Sequence, residues 1–379
     1  MPVPDEYFRN PVRLAQLAHR LQQRASTRSL VFMHVCGTHE HAIARAGLRS
    51  LLPDSLRVIA GPGCPVCVCP PEEIDLAARL ALEAGAVIAT FGDMLRVPGR
   101  ISLAEARARG GDIRVVASAA AAVEIARDEP GREVVLFAVG FETTACTTAA
   151  ALLADPPANF SVLSAHRLIP PALEALARMD GLALDGFLLP GHVLAVTGPE
   201  PYDRFARLAC RPCAVAGFEP VDILLGLERL VRMADGGETG LVNTYPRAVR
   251  SGGNARAVEA MARAFIVGDA RWRGLGTISG SGLGVHPDRR YHDARHRFPL
   301  AGETIAVPDD APGCLCSRVM IGLAEPEDCS LFGAACTPET PHGPCMVSAE
   351  GTCRSRHLYA AAGLREGHST ATEREDVKP

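Results

Sequence analysis

The stretch Val31-Phe-Met-His-Val-Cys-Gly-Thr-His-Glu-His41 joins an apolar run to a run of small and apolar residues. The apolar run, from Ser29 to Val35, is typical of a buried strand, and the residues from His41 to Leu48 predict a helix. Cys36 therefore follows a strand at the carboxyl edge of a sheet, which is where open α/β sheets bind their ligands. The stretch predicts an α/β fold with a cysteine at a functional edge.

Cys36 is a candidate nucleophile or metal ligand, because the N–H groups and dipole of a helix N-terminus stabilise a thiolate. The alternative is a buried cysteine that packs as a small apolar residue. Thr38, His39 and Glu40 occupy the same turn. Such a concentration of polar and titratable groups favours the functional interpretation.

Size and composition describe an ordinary globular protein of two or three domains: 379 residues, 47% hydrophobic and 22% charged. The net charge of −4 gives no reason to expect a nucleic-acid or anionic-membrane partner. The N-terminus lacks the basic and apolar regions of a signal peptide, and no apolar run is long enough to span a membrane. We therefore expect a soluble, cytoplasmic protein.

Strand-like and helical stretches alternate through the first 245 residues, which is typical of parallel sheets covered by helices. After a leading helix at 7–25, the predicted strands of the first part are 30–35, 56–60, 86–90 and 113–117. Those of the second part are 134–139, 160–164, 186–189 and 214–216.

The strand centres of the two parts correspond at an offset of roughly 100 positions, which indicates an internal duplication. We predict two similar Rossmann-like parallel-sheet domains, at residues 1–128 and 129–245. In this register Cys36-Gly-Thr-His-Glu40 faces Gly140-Phe-Glu-Thr-Thr144 across one cleft. Glu142 and His192 would lie on its far wall.

Residues 237–300 are rich in glycine, and we interpret them as connections between short helices. A phosphate loop is disfavoured, because there is no G-K-[S/T] and no preceding strand in the right register. From Pro312 the chain is loop-like and dense in cysteine. We predict a small C-terminal domain at 246–365, and a disordered tail at 366–379.

Thirteen cysteines in a chain without a secretory signal indicate metal binding or redox chemistry rather than structural disulfides. Cys64-Pro-Val-Cys67 follows a predicted strand directly, and a C-x-x-C pair serves either as a redox dithiol or as half of a metal site. Three interpretations remain open: a redox pair, an open metal site shared with Cys36, and a closed zinc site.

A second group of six cysteines lies near the C-terminus, with few apolar residues between them. Four thiolates suit an iron–sulfur cluster or zinc, and the absence of a repeated C-x-x-C favours iron–sulfur. Two cysteines left over beside a cluster would form a dithiol able to exchange electrons with it. The six are Cys314, Cys316, Cys329, Cys336, Cys345 and Cys353.

Several motifs together resemble the HypD family of hydrogenase maturation factors, over about residues 10–360. They are Cys36-Gly-Thr-His-Glu40, Gly61-Pro-Gly-Cys-Pro-Val-Cys67, Gly140-Phe-Glu-Thr-Thr144, Pro190-Gly-His-Val193, Gly343-Pro-Cys-Met-Val-Ser348 and Gly351-Thr-Cys353. The resemblance implies two Rossmann-like domains and a C-terminal [4Fe–4S] domain. It also implies a scaffold for assembling the Fe(CN)2CO unit of [NiFe]-hydrogenase, with iron(II) that carries cyanide and CO bound transiently. The implied partners are HypC, a small chaperone, and HypE, the cyanide donor.

The resemblance also assigns roles to individual residues. Its cluster ligands correspond to Cys314, Cys329, Cys336 and Cys353, with Cys316 and Cys345 as a redox pair beside the cluster. The iron-site and thiol-exchange cysteines correspond to Cys36, Cys64 and Cys67, which are also the expected metal ligands. The polar residues expected at the same site are His39, Glu40, Glu142 and His192. Cys69 and Cys146 depart from the family pattern, which has Thr and Pro at these positions.

Three functions are compatible with these residues. The first is the assembly scaffold with redox-active thiols. The second is a stand-alone disulfide reductase that takes electrons from ferredoxin through an iron–sulfur cluster. The third is a zinc-stabilised binding module without redox activity.

Overall fold

The computed structural model describes residues 6–24, 29–179, 181–302 and 306–366, and it contains two parallel sheets and one antiparallel hairpin. Sheet A has the strand order β2-β1-β7-β8-β9, sheet B has the order β4-β3-β5-β6, and β10 pairs with β11. The strands are β1 (Leu30–His34), β2 (Leu56–Ala60), β3 (Val87–Thr90), β4 (Ile113–Val115), β5 (Val134–Gly140), β6 (Phe160–His166), β7 (Gly186–Pro190), β8 (Pro212–Ala216), β9 (Gly240–Asn243), β10 (Phe265–Trp272) and β11 (Gly276–Val285).

Helices follow most strands, as expected for parallel sheets. Those before β5 are α1 (Glu6–Arg9), α2 (Pro11–Gln23), α3 (Gly37–Arg45), α4 (Pro65–Val68), α5 (Pro71–Leu82), α6 (Leu103–Ala108) and α7 (Ala119–Asp128). The later ones are α8 (Glu142–Leu153), α9 (Ile169–Ala177), α10 (Gly191–Thr197), α11 (Glu200–Ala209), α12 (Pro220–Asp235), α13 (Ala255–Ala264), α14 (Ala294–Arg297), α15 (Cys316–Met320), α16 (Pro344–Val347) and α17 (Thr352–Glu366). Within the described ranges, no helix has the length and apolar character needed to cross a membrane.

The predicted fold class is confirmed: α/β with parallel sheets and a cysteine-rich C-terminal region. The sheets nevertheless do not follow the predicted division at residues 128 and 129. The chain builds β1 and β2 in sheet A, crosses to sheet B for β3 to β6, and returns to sheet A for β7 to β9. Fully buried parallel strands are apolar on both faces, so the sequence pattern does not say which strand is the neighbour.

The strand orders of the two sheets agree with the predicted internal duplication. An offset of roughly 100 positions matches β1 with β5, β2 with β6, β3 with β7 and β4 with β8. Under it the order β2-β1-β7-β8 becomes β6-β5-β3-β4, which is sheet B read from its other edge. The pairing register is kept as well, with Phe32 opposite Val58 in sheet A and Val135 opposite Ser161 in sheet B. Each sheet thus combines two strands from one repeat with two from the other, and sheet A has β9 in addition at its edge.

Residues 237–300 contain the short helices α13 and α14, but the strands between them were not predicted. This region contains the antiparallel hairpin β10–β11, which packs on sheet B, where Arg167 at the end of β6 forms a bridge with Gly282. Glycine has low β-propensity and leaves no side-chain alternation, so β11 lacks the period of a strand. Of the predicted tail 366–379, Glu366 ends helix α17, and the rest lies outside the described residues.

Candidate functional site

Cys36 lies at the N-terminus of α3, directly after β1, as the sequence predicted. The loop that carries Cys64 and Cys67 follows the neighbouring strand β2, so the two motifs meet at one edge of sheet A. Their approach depends on Gly63, because a Cβ atom there would lie 2.1 Å from the backbone nitrogen of Cys36. The N–H of Gly37 donates to the carbonyl of Gly63, which fixes the two turns together.

Cys64 and Cys67 are joined in a disulfide. In this oxidised form neither is a thiolate, so neither can ligate a metal. With Cys36 they line one narrow cavity, whose other walls include His34, Glu40, Met320, Cys345, Glu350 and Thr352. Cys36 is partly exposed, whereas the disulfide and Cys345 are buried, so a molecule arriving from solvent reaches Cys36 first.

Glu40 is buried and holds the polar side of this cavity together. One carboxylate oxygen accepts from His34 Nε2 at 2.8 Å, and Arg49 donates to both oxygens, at 2.6 and 3.1 Å. Arg356 on α17 approaches to 3.9 Å from the same carboxylate. Burial alone would raise the pKa of Glu40, but Arg49 and His34 outweigh it and hold the pKa well below its usual range. Glu40 is therefore a fixed negative charge beside the Cys36 turn.

His39 is buried on the opposite side of the same turn. Burial, reinforced by the neighbouring His34, lowers the pKa of His39 to about 3, so the ring is neutral. Its Nε2 lies 2.9 Å from the carbonyl of Gly217, which fits an Nε2–H donor. The Nδ1 atom is then an unprotonated lone pair without a partner among the described residues. A neutral imidazole in this tautomer is a competent metal ligand.

Without a bound metal, the surroundings of Cys36 favour the thiol over the thiolate. Burial and the nearby Glu350 raise the pKa of Cys36 to about 12, although backbone N–H groups of His39 and Thr38 oppose the rise. Glu350 is held over the turn by Thr38, whose hydroxyl donates to it at 2.7 Å. The helix terminus does stabilise the thiolate, but removal from water costs more. A metal would have to displace the thiol proton.

Of the two residues predicted for the far wall of the cleft, Glu142 lies in the interior and His192 lies at the surface. Glu142 is buried, accepts from the backbone N–H of Ile169, and has its pKa raised to about 7 by burial. Burial raises the pKa of Tyr202 well above its usual value, and the charge of Glu142 adds to the rise. His192 is exposed and stacks on Phe218 at 3.9 Å between ring centroids, and Phe218 also stacks on His39.

The six C-terminal cysteines surround a single cavity. Leu315, Val319, Phe332 and Met346 complete its wall, so its lining is thiol and hydrocarbon. Gly343 packs closely against the cysteines, because a Cβ atom there would lie 3.0 Å from the sulfur of Cys314 and 3.2 Å from that of Cys316. Backbone N–H groups donate to two of the sulfurs, from His342 to Cys336 and from Cys345 to Cys316.

The donor set at this cavity fits a metal group. Ligand atoms of Asp310, Cys314 and Cys316 lie within 4.8 Å of one another, and N–H donation to sulfur is typical of the surroundings of iron–sulfur clusters. Hydrogen bonds from Cys314 and Cys345 lower the pKa of Cys316 well below its usual value. The free space is only about 10 Å³, so a cluster could enter only if the cysteine side chains rotated apart.

Cys345 connects the two cavities, because it lines both. The adjacent Pro344 places its carbonyl oxygen 3.9 Å from the sulfur of Cys67. Sequence reasoning identified every cysteine of the two cavities but missed residues that hold the Cys36 cavity, chiefly Arg49 and Glu350. These come from distant parts of the chain and belong to no motif with a metal-ligand or redox spacing, so only the fold brings them to the cysteines.

The parallel sheets, the cysteines at a sheet edge and the second thiol-lined cavity define a class: an α/β protein with two cysteine-lined cavities, one of which has a donor set that fits a metal. A family model described as the hydrogenase formation hypA family, short name HypD, matches residues 13–360. The chain is 42% identical over 372 residues to the hydrogenase maturation factor HypD2 of Bradyrhizobium diazoefficiens, covering 95% of this chain and 97% of that one. It is 42% identical over 366 residues to the HypD of Escherichia coli, covering 94% and 97%.

A third relative, the HypD of Rhizobium leguminosarum bv. viciae, is 44% identical over 344 residues, which are 88% of this chain and 89% of that one. This chain belongs to the HypD family of hydrogenase maturation factors. Among solved structures, a D-threo-3-hydroxyaspartate dehydratase from Delftia sp. HT23 matches over 82% of this chain and 90% of its own. Its TM-score of 0.16 and its identity of 16% are too low to support a conclusion about this chain.

Proposed function

We propose that this chain holds the Fe(CN)2CO unit of [NiFe]-hydrogenase while that unit is assembled, with Cys36 as the ligand that the chain contributes. The carrying observation is that Cys36, the Cys64–Cys67 disulfide and Cys345 line one cavity, with Cys36 at its exposed side. Low-spin iron(II) with cyanide and CO prefers soft thiolate ligands. The iron unit is the cargo, and HypC, as the proposed partner, supplies a second thiolate.

The cavity also supports a redox role for the Cys64–Cys67 pair. Cyanide delivered by HypE as a thiocyanate must be released from sulfur, and R–S–CN takes up two electrons and two protons to give R–SH and HCN. A reduced Cys64/Cys67 dithiol supplies both electrons and both protons and becomes the disulfide. Because the pair borders the same cavity as Cys36, cyanide would be released beside the proposed iron ligand.

We assign Cys314, Cys329, Cys336 and Cys353 as the ligands of a [4Fe–4S] cluster, with Cys316 and Cys345 as the adjacent dithiol. When bound, the cluster supplies electrons one at a time. This assignment is supported by the six thiols in the lining of the cavity and by the hydrogen bond that the backbone N–H of Cys345 donates to the sulfur of Cys316. Cys345 borders both cavities, which makes it the natural connection between cluster and disulfide.

The alternative of a stand-alone disulfide reductase is less well supported. Thiol–disulfide exchange needs direct contact between sulfur atoms of protein and substrate. Cys64 is 6% exposed and Cys67 1%, so a general disulfide substrate cannot reach this pair. The cavity beside the pair has only about 10 Å³ of free space, so a cyanide-bearing group would also need its walls to move apart, but it needs less room than a general disulfide substrate.

The test is anaerobic co-purification with HypC, followed by infrared spectroscopy for cyanide and CO bands. The wild-type complex should show the bands. Cys36→Ser, which replaces a soft ligand by a hard and mostly protonated one, should lose them while still binding HypC. Cys210→Ser is the matched control, because Cys210 is exposed and lines neither cavity. Bands of wild-type intensity in Cys36→Ser would refute the proposal.

A further inference from the structure

The segment 350–353, which leads into α17, is a wall that the two cavities share. Glu350 and Thr352 line the Cys36 cavity, whereas Cys353 lines the six-cysteine cavity. Gly351 packs against the backbone of Cys345, because a Cβ atom there would lie 2.1 Å from the Cys345 carbonyl oxygen. A movement of this segment therefore changes the walls of both cavities.

The same segment and the helix that follows it also cover α3. A Cβ atom at Gly37 would lie 2.4 Å from that of Glu350, and the hydroxyl of Thr38 donates to the Glu350 carboxylate at 2.7 Å. Farther along α17, the hydroxyl of Tyr359 lies 3.3 Å from Nε2 of His41. The helix that starts at the six-cysteine cavity is thus packed along the helix that carries the proposed iron ligand at its N-terminus.

Arg356 on α17 faces three carboxylates. Its Nη2 donates to Glu325 at 2.8 Å, and its Nη1 lies 3.9 Å from Glu327. Its Nε lies 3.9 Å from Oε1 of Glu40. Glu325 and Glu327 belong to the short turn that leads into Cys329, whereas Glu40 belongs to the first turn of α3. One guanidinium therefore connects the segment before a proposed cluster ligand with the start of α3.

The contact between Arg356 and Glu40 is incomplete. The Nε–H of Arg356 is buried and has no hydrogen-bond partner among the described residues. Glu40 is 1% exposed, and at 3.9 Å its Oε1 is too far away to accept. A buried donor without an acceptor is destabilising, and an approach of about 1 Å would satisfy it with a charge-assisted hydrogen bond. Helix α17 is therefore positioned to close on the first turn of α3.

We propose that Arg356 is a positioning residue that completes this hydrogen bond to Glu40 when the six-cysteine cavity holds its cluster, and so fixes the Cys36 turn for iron binding. The inference rests on the proposed function, because it requires a cluster bound through Cys329 and Cys353. Iron–thiolate bonds fix the turn before Cys329 and the first turn of α17 relative to one another. Both segments hold Arg356, so its guanidinium is then kept beside Glu40.

The experiment compares hydrogen exchange by mass spectrometry in the full chain, under anaerobic conditions, before and after reconstitution with iron and sulfide. In wild type, the cluster should slow exchange both in peptides from the start of α17 and in peptides from α3. The slowing in α3 should be about tenfold, which is the effect of one hydrogen bond to a charged group on local opening. In Arg356→Gln the slowing in α17 should remain, whereas that in α3 should be lost.

The matched control is Arg127→Gln, because Arg127 also pairs with a glutamate on a helix, but at the surface of α7. It should keep the wild-type slowing in both α17 and α3. Arg356→Lys keeps the charge and its donors, and should restore part of the slowing in α3. A merely structural role for Arg356 predicts equally faster exchange in α3 with and without the cluster, and that result would overturn the proposal.

If Arg356→Gln does not fold or binds no cluster, Glu325→Gln is the second variant, because it weakens the connection between Arg356 and the turn before Cys329. The cluster-dependent slowing in α3 should shrink, and a wild-type value would count against the proposal. Wild-type protein that binds no cluster refutes the proposed function. Wild-type protein that binds a cluster and slows exchange in α17 but not in α3 refutes the coupling alone.

Discussion

The Cys36 cavity and the six-cysteine cavity share Cys345, but they differ in the elements that form them and in the polarity of their walls. The first is held by regular elements, with Cys36 and Cys64 at the ends of neighbouring strands, and its wall carries polar groups such as Glu40 and Glu350. The second is enclosed by short helices and turns, and its lining is thiol and hydrocarbon. A wall with polar and charged groups suits cargo that arrives and leaves, whereas an apolar wall with many thiols suits a group that stays.

The largest expected effect is on the visible absorption of the protein, which should depend on the six-cysteine cavity and not on Cys36. Replacing Cys314, Cys329, Cys336 or Cys353 by Ala should each abolish the visible iron–sulfur absorption of anaerobically purified protein, because four thiolates are needed to complete the site. Cys36→Ala should leave the absorption intact, since Cys36 belongs to the other cavity. Cys316→Ala should keep the colour too. If Cys316→Ala loses the cluster and Cys314→Ala retains it, the assignment within this C-x-C pair is reversed.

The second largest expected effect is on the free energy of unfolding, and it concerns Glu40 in the wall of the Cys36 cavity. Glu40→Gln leaves Arg49 and His34 without a buried carboxylate and should lower the free energy of unfolding by about 3 kcal/mol. Because the pKa of Glu40 is depressed in the folded protein, its contribution is complete above the unfolded pKa and is lost as the pH falls toward the folded value. Urea denaturation at a series of pH values should show wild-type stability falling more steeply in acid than that of Glu40→Gln.

Glu124→Gln is the control for this measurement. Glu124 pairs with Arg127 at the surface, where both side chains are about half exposed or more, and such pairs contribute at most about 1 kcal/mol. If Glu40→Gln and Glu124→Gln were equally stable, Glu40 would not hold the cavity together.

A smaller effect tests the close approach of the two sheet-edge turns. Gly63→Ala places a Cβ atom against the backbone of Cys36 and should cost about 2 kcal/mol of stability, which is within the range for overpacking. Gly131→Ala is the control, since a Cβ atom there meets nothing within 4 Å. Denaturant unfolding measures both variants. Equal stability would mean that the turns are farther apart in solution.

The same comparison shows what sequence can and cannot predict. The strands around Cys36 and Cys64 were predicted correctly, because continuous apolar runs that end at glycine or cysteine mark buried strands and their carboxyl ends. The meeting of Cys36 with the C-x-x-C pair followed from that rule. The charge state of Cys36 did not, because desolvation and Glu350 depend on packing from a segment more than three hundred positions away.

The six-cysteine cavity was anticipated from cysteine density alone, whereas its supporting residues were not. Gly274, which packs on Ser317 beside Cys316, lies in a hairpin that the glycine content of β11 concealed. The sequence pattern also did not predict that each sheet takes strands from both repeats. A strand offset of roughly 100 positions reveals the repeat, but sequence periodicity does not record whether a chain crosses from one sheet to the other.

The central claim is that Cys345 connects the cluster with the Cys64–Cys67 disulfide, and one measurement tests it directly. The cluster-loaded chain receives two electron equivalents of dithionite anaerobically, and the state of Cys64 and Cys67 is read by peptide-level thiol trapping. Cluster-free protein treated in the same way reports direct reduction by dithionite. Wild type should reduce the pair, and Cys345→Ser should keep its colour and leave the disulfide intact. Equal reduction of the disulfide in wild type and Cys345→Ser would contradict the account.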